Sequence, residues 1–498
     1  MKTKLLLITA AFFALSTYGQ VYMYGTTYEG GANNLGTIYR VDQNGQNFQK
    51  VFDFTSSTGG KPLSGLTLAG SKLYGFTTEE GQLVNSGATL KMGSFFEFDP
   101  LTNNLTVIRY IDDLDSLGGD IHHAPILASD GLLYAMSTAS IDVSTTTIGP
   151  GNLFSYNPQN GTINIIESFG ENGTYGQCSS QLMQASNGLI YIITRNGGTA
   201  FAGNIITYDP TSNQLNTISN SLGYQVVVLP NHFEYQGAAN NPLFEGSNGV
   251  VYGHTRQGGA NNLGVTFKID LNGANWNKFH DFAGSLVDEG FKPSGGFLED
   301  NGFLYSSTSY GQNLTTSGTF YKINMSTDEV TFFHILDFEG TNPEGTFVKS
   351  PNGRFYITCS GINNDGNTVV NNGSILEYNP NTQLVTQRHS FSTSDGKHPK
   401  YNKLCLVDFS VLSINETSLP DNIVKIYPNP VNEKINIDID KSYVIESIKI
   451  LDMKGSVLYK DKTITNNTIV NTSFLTSGHY LLFIQTNKGS ITKKILKE

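Results

Sequence analysis

The chain has 498 residues, 38% of them hydrophobic and only 15% charged, with 53 glycines, 25 tyrosines, 30 phenylalanines and a formal net charge of −11 at pH 7. Glycine for turns and aromatics for half-buried strands make an all-β composition. The acidic balance excludes the electrostatic footprint that nucleic acid or an anionic membrane surface requires, and length alone allows about three domains.

The first nineteen residues read as a signal peptide. Lys2 and Lys4 precede the apolar run Leu5 to Leu15, and Thr17 and Gly19 supply small residues at the minus-three and minus-one positions of a cleavage site before Gln20. The run is short for a membrane span, and no later stretch reaches the length of about 20 residues that a spanning helix needs, so no transmembrane segment is expected. A retained N-terminal anchor is the alternative.

From residue 21 to about 380 one phrase recurs seven times: an anchor aromatic with glycine, a Gly-rich step, then Gly-x-x-Tyr/Phe. The clearest copies, Tyr24-Gly-Thr-Thr-Tyr-Glu-Gly-Gly-Ala-Asn-Asn-Leu-Gly36 and Tyr252-Gly-His-Thr-Arg-Gln-Gly-Gly-Ala-Asn-Asn-Leu-Gly264, are nearly identical. The anchors are Tyr24, Tyr74, Tyr134, Tyr191, Tyr252, Tyr305 and Tyr356, spaced by 50, 60, 57, 61, 53 and 51 residues. A variable period of that size fits a four-stranded propeller blade with loops of changing length, not a helical solenoid. Within the second unit the strands are expected at Pro62 to Leu68, Lys72 to Thr77, Gly93 to Asp99 and Leu105 to Tyr110. The expected fold is an all-β, seven-bladed β-propeller over residues 20–410.

The first unit begins at a second strand, Val21 to Thr26, while Lys403 to Val407 reads as a first strand with nothing after it. These two should pair and close the ring, which removes an open edge. Three cysteines, Cys178, Cys359 and Cys405, show no metal-ligand spacing and are expected to fill strand positions as small apolar groups. One pair could instead form a bridge in an oxidising compartment.

Composition changes near residue 420. Residues 420–498 hold three glycines, eleven lysines and eight carboxylates, a net of +3, which leaves −14 for the part before. The polar stretch 411–422 reads as a linker, and residues 423–498 as a second, smaller β-domain, a sandwich. Its motifs are Tyr427-Pro428-Asn429-Pro430, Ile435-Asn436-Ile437, the run Ile448 to Leu458 through Asp452 and Gly455, the run Leu475 to Ile484 through Gly478 and Tyr480, and a close on Lys493-Lys494-Ile495-Leu496-Lys497. Gly455 and Gly478 are expected to supply turns.

In that order these motifs resemble the type A C-terminal sorting domain of the type IX secretion system of Bacteroidetes. The resemblance implies passage across the outer membrane by that machinery, to be secreted or attached to the cell surface, with Tyr427, Pro428, Asn429, Pro430, Asp452, Gly455, Gly478, Tyr480 and Lys494 as the signal. The seven repeats resemble the bacterial GloVer-type tandem repeats, with a strand order similar to Kelch blades. Ala135, Ile192, Ser306 and Ile357 replace the glycine after the anchor in copies three, four, six and seven.

Chemistry is sparse by comparison. There is no Gly-x-Ser-x-Gly elbow, His-Glu-x-x-His or phosphate-cradling loop, and no cofactor, metal or catalytic residue is expected. The aspartates in Phe52-Asp53-Phe54, His280-Asp281-Phe282 and Leu336-Asp337-Phe338 read as structural acceptors. Binding is best placed where each unit leads into its innermost strand, because the scaffold repeats there while Lys61, His122, His123, Gln177, Asn240, Lys292, Glu344, His398 and Lys400 vary. A solvated, unselected rim is the competing reading. The adjacent His122 and His123 would point to opposite faces of a strand and make a poor metal pair. Tyr28, Tyr310 and Trp276 are aromatics able to stack on sugars. Two function classes follow: a non-catalytic propeller binding a glycan, polymer or protein partner, or a polysaccharide-directed hydrolase or lyase for which Asp120, Glu289 and Glu344 are the nearest carboxylates.

Overall fold

In a computed structural model of the chain, each repeat folds into one antiparallel sheet. Described are residues 21–138, 140–142, 147–149, 151–169, 181–194, 204–219, 242–284, 289–311, 318–336, 340–362, 371–409, 423–440, 442–452, 457–461, 467–487 and 489–498. The expected signal peptide, the linker, Gln177, Cys178, Asn240, Asp337 and Gly455 lie outside them. Two compact units are present, residues 1–408 and 409–498.

Among the described residues the first unit contains seven sheets of the same order, innermost strand first in sequence. Blade 2 shows the pattern: Thr67–Ala69, Lys72–Phe76, Lys91–Asp99 and Asn104–Asp112, each paired with the next. Blade 1 is assembled from both ends of the unit. Cys405–Asp408 pairs antiparallel with Val21–Thr27, in the register Val21 to Asp408 and Tyr24 to Cys405, followed by Thr37–Asp42 and Gln49–Asp53. Blade 3 carries an additional hairpin, Ser140–Asp142 with Thr147–Gly149.

The second and third strands of each sheet are buried on both faces, because each face meets a neighbouring sheet. Period-two alternation therefore sorts side chains between two neighbours rather than between core and solvent. In blade 2, Phe95 packs towards blade 3 with Phe154 and Tyr156, whereas Phe96 and Phe98 meet Phe54 and Tyr24 of blade 1 at 5.4 and 6.3 Å between ring centroids.

The anchor tyrosine makes the same step around the ring. Tyr24 reaches blade 2, Tyr74 blade 3, Tyr134 blade 4, Tyr191 blade 5, Tyr252 blade 6, Tyr305 blade 7, and Tyr356 returns to blade 1 beside Met23 and Tyr39. All seven anchors are buried. Burial of a side chain this large contributes about 1.5–3 kcal/mol, so the recurring tyrosine holds sheet to sheet around a propeller-type fold, with seven such sheets among the described residues.

The innermost strands are shorter than expected: in blade 2 the ladder begins at Thr67, not Pro62. In blade 6 this strand is split, with Phe291–Pro293 and Leu298–Asp300 both pairing with Phe303–Tyr310. Near the axis these residues bond sideways instead. Ser294 Oγ donates to Pro343 O of blade 7 at 3.0 Å and Gly296 N to Thr346 Oγ1 at 3.0 Å. Hydroxyls on second strands do the same, Thr26 Oγ1 to Ser64 O at 2.6 Å and Thr358 Oγ1 to Asn402 O at 3.0 Å. Buried carbonyls at the axis are thus satisfied by the next blade rather than by their own ladder.

The aspartates of the Phe-Asp-Phe-type sites are turn acceptors. Asp53 Oδ1 accepts from Ala32 N at 2.7 Å, and Asp281 Oδ1 from Ala260 N at 2.9 Å. Cys359 and Cys405 are free thiols on strands.

The second unit is a sandwich of a three-stranded sheet, Val424–Tyr427, Lys434–Ile439 and Asn467–Asn471, and a four-stranded sheet, Val457–Asp461, Ile445–Leu451, Gly478–Thr486 and Gly489–Lys497. Ile435, Ile437, Ile448, Ile450, Leu482 and Ile484 fill its core by simple alternation. Gly478 begins a strand paired with Lys497 instead of forming a turn. Asn429 bridges the two ends of the domain: its Nδ2 donates to Lys494 O at 2.9 Å and its Oδ1 accepts from Leu496 N at 2.8 Å. Tyr427 Oη donates to Asp438 at 2.6 Å, and Tyr480 Oη donates to Thr476 O at 2.8 Å. Pro428, Pro430 and the half-buried Asp452 flank these contacts in sequence.

Candidate functional site at the mouth of the ring

In blades 1, 2, 6 and 7 the lead-in to the innermost strand lies beside the end of the second strand of the same sheet. Gly60 pairs with Glu79, Phe291 with Tyr310 and Glu29 with Lys397, while Gly361 N donates to Thr341 O at 2.9 Å. These pairs form one end of the ring. The backbone there is unusual: Lys61, Asp120, Lys292, Asn342 and His398, one per lead-in, all have φ between 54 and 59°, the left-handed region that non-glycine residues seldom occupy. Proline follows Lys61, Lys292, Asn342 and His398. Each of Lys61, Lys292 and His398 uses its N–H to bond the carbonyl of Leu35, Leu263 or Asn372 just before a third strand, at 2.7–2.8 Å.

Three of these blades send side chains that meet. Tyr401, on the blade 1 lead-in, has its hydroxyl close enough to Glu344 on the blade 7 lead-in and to Arg256 after the second strand of blade 5 for both charges to act on it. Glu344 is only 7% exposed. The Glu344 carboxylate, helped by burial, pushes the Tyr401 hydroxyl up to about 12. Tyr401 therefore stays a protonated donor at neutral pH. Its φ of 45° is strained for so bulky a residue.

Lys400, the residue before Tyr401, reaches Tyr28, whose ring is flanked by two ammonium groups, Lys400 Nζ at 4.3 Å and Lys61 Nζ at 5.4 Å from the centroid. Lys61 also pairs with Glu79 at 3.0 Å, and Lys397 with Glu29 at 2.9 Å. Burial is the largest influence on both Glu29 and Lys61 and works against their charge, yet the hydrogen bond of each to its partner and the nearby charges together outweigh it, lowering Glu29 and raising Lys61.

The remaining positions expected at the rim are held differently. His398 is turned inward, 1% exposed, with Nδ1–H donating to Ser360 O at 2.8 Å. Burial depresses its basicity, so it stays neutral inside the wall. His122 Nε2 lies 2.6 Å from Asp120 Oδ1, and that hydrogen bond, against burial, lowers the carboxyl. His123 follows it in the same half-buried lead-in. Lys292 Nζ lies 5.2 Å from the Tyr310 ring centroid, and that ring stacks on Phe291 at 4.8 Å. Trp276 packs with Phe267 at 6.2 Å. These three aromatics are thus engaged by cations or core rings, not presented as bare platforms for sugars.

Asp120, Glu289 and Glu344 are kept apart. Asp120 pairs with His122 in blade 3, Glu289 with His280 of the outermost strand of blade 5 at 2.9 Å, and Glu344 with Tyr401. Among the described residues no group of three or more His, Cys, Asp or Glu side chains gathers in a metal-holding arrangement.

Sequence reasoning missed Arg256 and Tyr401. The signal for Arg256 was present: it stands at the position of Tyr28 in the two near-identical phrases, which differ there, at Thr26 against His254, and at Glu29 against Gln257. His254 also belongs to this wall. It is buried, its Nδ1 lies 3.2 Å from Tyr321 Oη, and burial, then the charge of Arg256, lowers its pKa to about 3.

Among solved structures, the chain is similar to a putative 6-phosphogluconolactonase from Bacteroides fragilis, at 14% identity and TM-score 0.50 over 79% of this chain and 99% of that one. It is also similar to the periplasmic gluconolactonase of Pseudomonas aeruginosa, at 15% identity and TM-score 0.50 over 78% and 99%. At such identities the likeness speaks for the fold alone. None of the curated proteins matches the chain. The secretion system C-terminal sorting domain family matches residues 425–498, so the protein is exported through the type IX system, to be secreted or attached to the outer cell surface. Among the described residues no helix is long and apolar enough to cross a membrane. The Gloeobacter/Verrucomicrobia repeat matches residues 13–177 and 222–414, and the chain, repeated, closed and anchored on its tyrosines as described, belongs to that family.

Proposed function

We propose that the propeller is a ligand-binding module, delivered outside the cell by its sorting domain, that takes a glycan or polymer chain at the mouth of the ring. The observation that carries this reading is the meeting of Arg256, Glu344 and Tyr401 from blades 5, 7 and 1. Polar groups from separate blades of a rigid ring form a pre-organised set of donors and acceptors, which lowers the ordering cost of binding. The propeller domain is assigned to residues 20–410, the linker to 411–422 and the sorting domain to 423–498.

A polysaccharide-directed hydrolase or lyase is the second reading, favoured by a carboxylate, Glu344, close enough to the Tyr401 hydroxyl to raise its pKa. The raised Tyr401 weighs against a basic or nucleophilic tyrosine at neutral pH. Binding of the mature chain to a glycan array, followed by titration calorimetry, tests the first reading. Glu344→Gln is expected to weaken the ligand about tenfold, or ~1.4 kcal/mol. New reducing ends or unsaturated sugars from a polysaccharide panel, abolished by Tyr401→Phe, would establish the enzyme instead.

A further inference from the structure

The cations at the mouth run against the charge of the molecule around them. The chain before residue 420 carries −14, yet Lys61 and Lys400 share the Tyr28 ring, Lys397 pairs with the neighbouring Glu29, and Arg256 stands by Tyr401, the residue after Lys400. Glu79 and Glu29 answer Lys61 and Lys397, and Arg256 shares Tyr401 with Glu344. Among the described residues Lys400 has no carboxylate within ion-pairing distance, and its ammonium rests on the Tyr28 ring at 4.3 Å. Lys61 approaches the same ring from the next blade at 5.4 Å. Two ammonium groups drawn to one ring repel each other, and the ring's negative face offsets that only in part.

Glu79 shows which group relieves the repulsion. Its carboxylate accepts from Lys61 Nζ at 3.1 Å and from Tyr28 Oη at 3.4 Å, and it is 46% exposed, so solvent reaches it. A second carboxylate on the same ring would meet the ammonium of Lys400.

We infer that the mouth selects an acidic saccharide, whose carboxylate or sulfate lies between Lys61 and Lys400 at the edge of Tyr28 while its hydroxyls meet Arg256, Glu344 and Tyr401. This rests on the saccharide-binding reading above and names the class of sugar. Lys400 is the selective element and Lys61 the shared one.

The full exported chain is titrated with alginate, heparin and neutral β-glucan oligosaccharides of matched length. An acidic oligosaccharide should bind at least tenfold more tightly than the neutral one, with affinity falling as salt rises. Lys400→Gln and Lys61→Gln should each cost at least fivefold and the pair should remove the preference, while the melting temperature stays within a few degrees. Alginate bound in preference to heparin assigns the group as carboxylate, the reverse as sulfate; both support the inference. Equal binding of neutral and acidic oligosaccharides, or a preference untouched by the two lysines, overturns it and leaves the binding reading standing. No saccharide bound at all overturns both.

Discussion

The residue after each anchor tyrosine is chosen by the residue opposite it on the third strand. Gly25 faces Tyr39, Gly75 faces Phe96 and Gly253 faces Phe267; a Cβ on these glycines would lie 2.4–2.8 Å from ring atoms. Where alanine or serine stands instead, the partner is still aromatic: Ala135 with Phe154, Ser306 with Tyr321. Where isoleucine stands, the partner shrinks to Ile206 or Leu376. Fixed volume between close-packed sheets requires this exchange. Gly253→Ile should therefore cost about 1–3 kcal/mol by overpacking, and Phe267→Leu should recover part of it. A double-mutant cycle by chemical denaturation measures the coupling, and simple additivity would contradict the account. A second prediction concerns His254. Its folded pKa is about 3 against 6.5 unfolded, so between those values the unfolded chain binds the extra proton. Stability conferred by the neutral ring is present above pH 6.5 and is lost as pH falls towards 3, at no more than about 1.4 kcal/mol per pH unit. His254→Thr, the residue of the matching position in blade 1, should flatten that part of the melting-temperature profile whatever it does at pH 7.

At the scale of elements, the glycine at the start of the third strand has one task in the six blades where it is among the described residues. Gly36, Gly93, Gly151, Gly264, Gly318 and Gly373 all have φ between 90 and 109°, and a Cβ at Gly264 would meet Thr255 O at 2.4 Å and the proline of the lead-in, Pro293, at 2.7 Å. The closing strand is the other element with a single task. Cys405–Asp408 is short, yet it joins blade 1 to the rest of the chain. Leu406→Pro, opposite Met23, removes a donor from this ladder and distorts it. We expect a drop of at least 10 °C in melting temperature and early proteolysis near residue 21, against small effects of the same change in an exposed outermost strand. These strands were legible because an unmatched second strand at one end and an unmatched first strand at the other have one economical solution. The brevity of the innermost strands was not legible, since bonding between neighbouring blades at the axis leaves no periodic trace.

For the whole molecule, the sorting domain and the proposed binding mouth lie in separate units. Asn429 is the joint of the sorting domain, because its amide bonds a carbonyl and an N–H of the terminal strand. Asn429→Asp keeps its size but cannot donate to Lys494 O, and at this exposed position the loss is about 1 kcal/mol. The expected outcome is precursor retained in cells, measured by immunoblot of cell and medium fractions, with binding by the purified chain unchanged.

The amino-acid order by itself determined the repeat, its seven units, the end-to-end pairing that closes the ring and the route of export, because each is a local pattern or a count. Of the mouth it marked positions, Lys61, Lys292, Glu344 and Lys400 among them, without their partners. Only the tertiary structure decided that His398 turns into the wall, that Asp120 stays with His122, and that Arg256 and Glu344 both come up to Tyr401. The physical reason is closure: a ring brings the lead-ins of non-adjacent blades to one axis, so residues far apart in sequence meet by the angle between sheets.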